Sequence, residues 1–178
     1  GLLTARTELR DDALVVERFD RLFRDGKEVQ IHVEDMLQAT DRYPHAKYSV
    51  EYVELLDAMA RIGVSKAGIL AALRLYAFSY LVGNGDLHAK NVSLMSDPDA
   101  GGWVLTPAYD LLSTLPYCET LYGADRMALA LADEAFGRFS PEDFVTVALG
   151  FGIVKDATLG MLRRLTARFI AHATALLG

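Results

Sequence analysis

Apolar positions along this chain change period several times, and each change marks an element. Residues 1–11 are polar and weakly patterned, and are expected to carry little fixed structure. Ala13-Leu14-Val15-Val16 then reads as a strand running into Glu17-Arg18-Phe19-Asp20-Arg21. Asp25-Gly26 marks a hairpin turn, and Val29-Gln30-Ile31-His32 its return strand. Residues 34–39 suit a short helix that ends before Pro44.

From Val53 the period lengthens to that of a helix. Val53, Leu56, Met59 and Ala60 share one face, with a capping pattern at Ser49-Val50-Glu51-Tyr52 and a stop near Gly63. Ser65 can cap a second helix, in which Ile69, Leu70, Leu73, Phe78, Leu81 and Val82 cover more than one face. A helix apolar on most sides belongs in a core. Two short β-type runs follow, Val92-Ser93-Leu94-Met95 and Gly102-Trp103-Val104-Leu105, joined by a turn across 96–101. Leu111-Leu112-Ser113-Thr114-Leu115-Pro116 reads as a turn of helix, and 127–131 as strand or extended chain before Asp133-Glu134. Ser140-Pro141-Glu142-Asp143 combines a cap, a proline at the first turn and acids at the positive end, a strong helix start. After Gly150 and Gly152 a last helix carries Leu159, Leu162, Leu165, Phe169 and Ile170 as its inner stripe. Arg163, Arg164 and Arg168 fall on or beside its outer, solvated face. The expected class is α+β, mostly α-helical.

Composition narrows the options. At 178 residues, 52% hydrophobic and 24% charged, the chain can bury a sizeable core and is not of the disordered type. A net charge of −6 argues against a dedicated nucleic-acid surface, so any DNA contact would run through a basic partner. The single Cys118 excludes an intramolecular disulfide, fits a reducing cytoplasm and, with no base near it in sequence, reads as structural. No signal peptide is visible, and the best membrane candidate, 67–82, is too short and contains Arg74. His45 has no second ligand at metal spacing.

The chemistry gathers around the predicted hairpin. Gly83-Asn84-Gly85-Asp86-Leu87-His88-Ala89-Lys90-Asn91 precedes its first strand, and Thr106-Pro107-Ala108-Tyr109-Asp110 follows its second. Antiparallel pairing would bring Asp86, Asn91 and Asp110 to one open end. Asp-x-x-x-x-Asn is the spacing of a protein-kinase catalytic loop, and Asp110 then takes the later metal-binding position. On that reading Asp86 is the base, while Asn91 and Asp110 supply hard oxygens to a Mg²⁺ bridging the phosphates of ATP. Taken alone, Gly-Asn-Gly-Asp also suits an ordinary turn and Asp110 a helix cap. Lys90 suits phosphate oxygens or plain solvent, and His88 either a ligand or a brace for the loop.

At these residues the sequence resembles a known family. Gly-Asp-Leu-His-Ala-Lys-Asn-Val-Ser-Leu and Leu-Thr-Pro-Ala-Tyr-Asp-Leu-Leu-Ser-Thr look like the C-terminal domain of HipA-like serine/threonine kinases. Val16-Glu17-Arg18-Phe19-Asp20-Arg21 matches upstream, as do His32-Val33-Glu34-Asp35-Met36-Leu37-Gln38-Ala39 and Lys47-Tyr48. The resemblance runs from about Asp12 to near the C-terminus. It implies a kinase-like large lobe at 34–178, with the active-site hairpin, and a remnant of the small lobe and hinge at 1–33. It further implies that Glu17, Arg18 and Phe19 lie at the adenine-binding hinge, with Asp20 close to the ribose. His88, Ala89, Lys90 and Tyr109 would join the nucleotide site. Family members are toxin halves of toxin–antitoxin pairs, held by a DNA-binding antitoxin, and can modify an aminoacyl-tRNA synthetase.

A complete kinase also needs a Gly-rich loop over the phosphates and a Lys–Glu pair in the small lobe. Neither is identifiable, so the chain reads as truncated at its N-terminus. Two other functions remain open. One is a small-molecule kinase of the aminoglycoside or choline type, against which stands the sequence Leu-Thr-Pro-Ala-Tyr-Asp. The other is a non-catalytic lobe that binds an antitoxin or another partner, against which stands the presence of Asp86, Asn91 and Asp110 together.

Overall fold

A computed structural model describes residues 2–97, 99, 101–117, 127–131 and 138–177. Cys118 and the Asp133-Glu134 pair lie outside the described residues. The architecture is α+β: two small hairpins and a three-stranded sheet precede and flank a packed group of helices.

The first hairpin pairs β1 (Thr7–Arg10) with β2 (Ala13–Val16), Thr7 opposite Val16. This overturns the expectation for 1–11. Every residue of both strands is exposed, so no apolar alternation announced β1; backbone bonding carries it instead. Glu17 N donates to Arg6 O at 2.9 Å, and Thr4 forms an isolated parallel bridge to Ala108. The second hairpin pairs β3 (Arg21–Arg24) with β4 (Lys27–Gln30) around Asp25-Gly26, both in the left-handed region at φ 50° and 74°. Two such residues in a row make the mirror-image turn that matches strand twist.

The expected hairpin at 92–105 is present as β6 (Ser93–Ser96) and β7 (Trp103–Leu105), but a third strand, β5 (Val33–Asp35), pairs with β6 from the other side. The short helix α1 (Met36–Ala39) therefore starts two residues later than the sequence suggests. Asp35 ends β5 and caps α1 in one step: Gln38 N donates to Asp35 Oδ1 at 2.9 Å, and Asp35 N to Gln38 Oε1 at 3.1 Å.

Helices α2 (Tyr52–Ile62) and α3 (Lys66–Val82) build the core. Glu51, within the expected 49–52 capping stretch, is the N-cap of α2, and Gly63 at φ 94° ends it. Ser65 Oγ accepts from Gly68 N at 3.2 Å to open α3, as its sequence indicates. Ile69, Ala72, Leu73, Leu75, Tyr76 and Ala77 of α3 are all buried, which is why its apolar positions show no single face. Tyr52 and Tyr76 pack ring to ring at 4.6 Å in this core, and their hydroxyls donate to Ala72 O at 2.8 Å and Leu129 O at 2.7 Å. Burial pushes both phenols up in pKa, so they remain donors.

Segment 127–131 buries Met127, Leu129 and Leu131 alternately, but no sheet accepts it; Tyr52 N bonds Ala130 O at 2.7 Å instead. Likewise 111–114 is irregular, with a 3₁₀ turn only at Leu115–Tyr117. Helix α4 (Pro141–Gly150) opens on the Ser140–Asp143 capping box. In α5 (Lys155–Leu177) the inner stripe is Thr158, Met161 and Leu165, whereas Ile170 is exposed. The helix packs against α3 and α4, and the apolar pattern runs on beyond these buried positions to the exposed Ile170. Among the described residues, no helix is long and apolar enough to cross a membrane.

Candidate active site

Helix α3 delivers the chain into the 83–91 loop through Gly83, at φ 68°; a Cβ there would sit 2.3 Å from Leu115 Cγ and Cδ1. Backbone conformation and close packing both call for glycine. Asn84 is fully buried, and its Oδ1 accepts from Asp86 N at 3.1 Å. Leu87, 1% exposed, then plugs into the core between Asp86 and His88. The Asp86 carbonyl accepts from His88 N at 2.8 Å and Asn91 Nδ2 at 3.1 Å. That amide bond commits the nitrogen of Asn91 and leaves its oxygen available as a hard ligand.

The return from β7 is tied to this loop at two points. The Tyr109 hydroxyl donates to Lys90 O at 2.7 Å and lies 2.6 Å from Ser93 Oγ; its one proton being used, Ser93 is the donor of that second bond. Burial raises the Tyr109 pKa, which keeps the phenol protonated. Thr114 Oγ1 donates to Gly83 O at 3.0 Å and accepts from Gly85 N at 2.9 Å. Asp110 lies between these two ties, exposed, at φ 52°. Both Asp86 and Asp110 act electrostatically on the His88 ring, working to raise its pKa. Burial and the Lys47 charge outweigh them and lower it, so His88 is a neutral imidazole at neutral pH. Among described atoms, its Nδ1 is buried without a hydrogen-bond partner.

The upstream candidates divide. Phe19 lies beside the hairpin, its ring 5.8 Å from that of Tyr109. Glu17 is exposed, 3.8 Å from Arg6. Arg18 grips Asp20 in a fork, Nε to Oδ1 at 2.8 Å and Nη2 to Oδ2 at 2.6 Å, with Arg21 on Oδ2 at 2.5 Å. Arg18 first, then the field of both arginines, holds the Asp20 carboxyl down at about 2 against an ordinary 3.8. A carboxylate depressed by folding adds stability that is complete above 3.8 and disappears as pH falls toward 2. Arg18→Ala should therefore move the Asp20 titration, followed by carboxyl-carbon NMR, up toward 3.8 and raise the pH of acid unfolding. An unmoved titration would assign control to Arg21. Ala89 is buried, its N–H on Lys47 O at 3.2 Å, and the Lys90 side chain is exposed.

Among the described residues, no three His, Cys, Asp or Glu side chains gather to hold a metal unaided. The two ligands expected from the sequence, the Asn91 amide oxygen and the Asp110 carboxylate, are hard oxygens of the kind Mg²⁺ prefers.

A family model described as the HipA-like C-terminal domain matches residues 1–173. The chain belongs to that family. Over 172 residues it is 34% identical to Y4dM of Sinorhizobium fredii, named as a candidate kinase, covering 96% of this chain and 40% of the relative. It is 29% identical over 188 residues to the serine/threonine-protein kinase toxin HipA of Shewanella oneidensis, covering 93% of this chain and 41% of that protein. A solved complex of Shewanella oneidensis HipA with HipB and operator DNA superposes with a TM-score of 0.77 at 25% identity, over 99% of this chain and 46% of that chain. The chain thus spans less than half the length of these relatives.

Within this HipA-like domain, several polar residues had no role that sequence reasoning could assign. Asn84, Ser93 and Thr114 build the loop's hydrogen bonds, and Tyr48 reaches Asp86 Oδ1 at 2.7 Å from 38 residues upstream. The Lys47-Tyr48 pair carries family resemblance but no motif that names its chemistry. Only the fold brings the phenol to the carboxylate.

Proposed function

We propose that this chain is the phosphoryl-transfer lobe of a HipA-like serine/threonine kinase, with 34–178 as the helical lobe and 1–33 as hinge and small-lobe remnant. The observation that supports the reading is the double tie, Tyr109 to Lys90 and Thr114 to Gly83, that fastens the 109–114 segment, which contains Asp110, to the 83–91 loop. Asp86 accepts the proton of a Ser or Thr hydroxyl as that oxygen bonds to the γ-phosphorus of ATP. The bond from that phosphorus to the β,γ-bridging oxygen breaks, and ADP leaves. Asn91 and Asp110 would hold Mg²⁺, which when bound neutralises charge on the phosphates. Phe19 and Tyr109 offer an apolar wall for the base, and exposed Lys90 a cation for phosphate.

By resemblance the acceptor is a protein, with an aminoacyl-tRNA synthetase as the first candidate, and the partner is a DNA-binding antitoxin. The solved neighbour, HipA with HipB and operator DNA, supports that partner class. The deciding experiment is calorimetric titration of the whole protein with ATP, with and without Mg²⁺, beside Asp110→Asn. Asparagine tolerates the left-handed backbone at φ 52° as aspartate does, so the change removes charge and not geometry. Affinity in Mg²⁺ should fall roughly tenfold or more, the scale of one lost charge-assisted contact, with little change in its absence. Equal loss in both conditions would remove Asp110 from the metal site. No binding by the parent would favour a partner-binding lobe.

A further inference from the structure

Asp86 has a backbone fixed at both ends, its N–H on Asn84 and its carbonyl shared by His88 and Asn91. Its side chain is still free to turn about two bonds. Tyr48 removes that freedom: its hydroxyl donates to Oδ1 at 2.7 Å, leaving Oδ2 for an acceptor hydroxyl. We propose that Tyr48 is a positioning residue for Asp86, a role that rests on the phosphoryl-transfer reading above.

Tyr48 is nearly half exposed, 46%, so core packing does not explain its placement. Its surroundings steady it nonetheless. The preceding residue, Lys47, accepts from Ala89 N at 3.2 Å and so fastens the 47–48 backbone to the loop it serves. The His88 ring meets the Tyr48 ring edge-on, 5.2 Å between centroids at 74°. Lys47 Nζ stands 4.6 Å from the Tyr48 ring centroid, within cation–π range. The phenol is thereby held against the same loop whose carboxylate it orients, and the two move together.

A hydrogen bond from a neutral hydroxyl to one carboxylate oxygen selects one rotamer. That helps a base that must face an incoming hydroxyl within hydrogen-bond reach, because small misplacements cost large factors in rate.

The test is a double-mutant cycle in the whole protein, with Tyr48→Phe, Asp86→Asn and the pair, read as single-turnover transfer rate and as KM for ATP. Tyr48→Phe should lower the rate roughly tenfold, the scale of one hydrogen bond to a charged group. KM for ATP should stay within about twofold. In the Asp86→Asn background the same change should cost nearly nothing, whereas a merely structural role would cost the same in both. A second readout needs no activity: the Tyr48 Cζ resonance of the ligand-free protein should move in Asp86→Asn. Parental rate in Tyr48→Phe beside an inactive Asp86→Asn would overturn the proposal and leave the kinase reading standing. Parental rate in Asp86→Asn would overturn both. A faster Tyr48→Phe would also overturn it, and would make the phenol a blocker in the acceptor hydroxyl's place.

Discussion

Asp86→Asn in the whole protein is expected to lower phosphoryl transfer by about a thousandfold, within the usual range for losing a general base, and to leave ATP affinity within about twofold. Asparagine preserves the shape of the side chain, and its Oδ1 can still accept the Tyr48 hydroxyl, so the loop should not rearrange. What it loses is the ability to take a proton. Within the loop itself the bonds run through the Asp86 backbone N–H and carbonyl, while its side chain accepts the Tyr48 hydroxyl from outside the loop. A quench assay of protein phosphorylation gives the rate, and calorimetry with Mg²⁺ gives the affinity. Parental turnover would end the assignment of Asp86 as base; lost ATP binding with the rate would make it a nucleotide ligand instead.

The elements that sequence patterning located are those whose signals are local. Ser65 before α3, the Ser140–Asp143 box before α4 and Asp25-Gly26 between β3 and β4 each satisfy backbone groups within a few residues. The elements it missed are held by distant partners. β1 is exposed on both faces and exists through its pairing with β2, and β5 exists because β6 comes back to it some 60 residues later. In α5, Ile170 continues a helical apolar period but is exposed, whereas the periodicity alone placed it inside. The candidate site divides the same way. Asp86, Asn91 and Asp110 were legible from spacing because the hairpin between them is short and local. Tyr48, Thr114 and Ser93 were not, because their meaning lies in which loop they touch. The HipA-like resemblance supplies roles for the first group and none for the second.

Leu87→Ala is expected to destabilise the protein by about 3 kcal/mol and to lower transfer activity as well. Leu87 is 1% exposed and belongs to the main core with residues of α1, α2 and α3. Truncating a fully buried leucine costs its transfer free energy plus the cavity left behind, together about 2–5 kcal/mol. Its sequence neighbours give the loss a functional side: Asp86 precedes it and His88 follows, so this side chain is the bolt that fixes the loop's depth. Leu176, 87% exposed near the end of α5, is the matched control, and its change to alanine should stay within about 0.5 kcal/mol. Urea unfolding measures both, and transfer rates at a temperature where each variant remains folded separate placement from stability. Equal costs for the two leucines would mean the loop is not anchored in the core. A full stability loss with parental turnover would mean that Tyr48 and the Asn84 and Asn91 bonds suffice to place Asp86 without it.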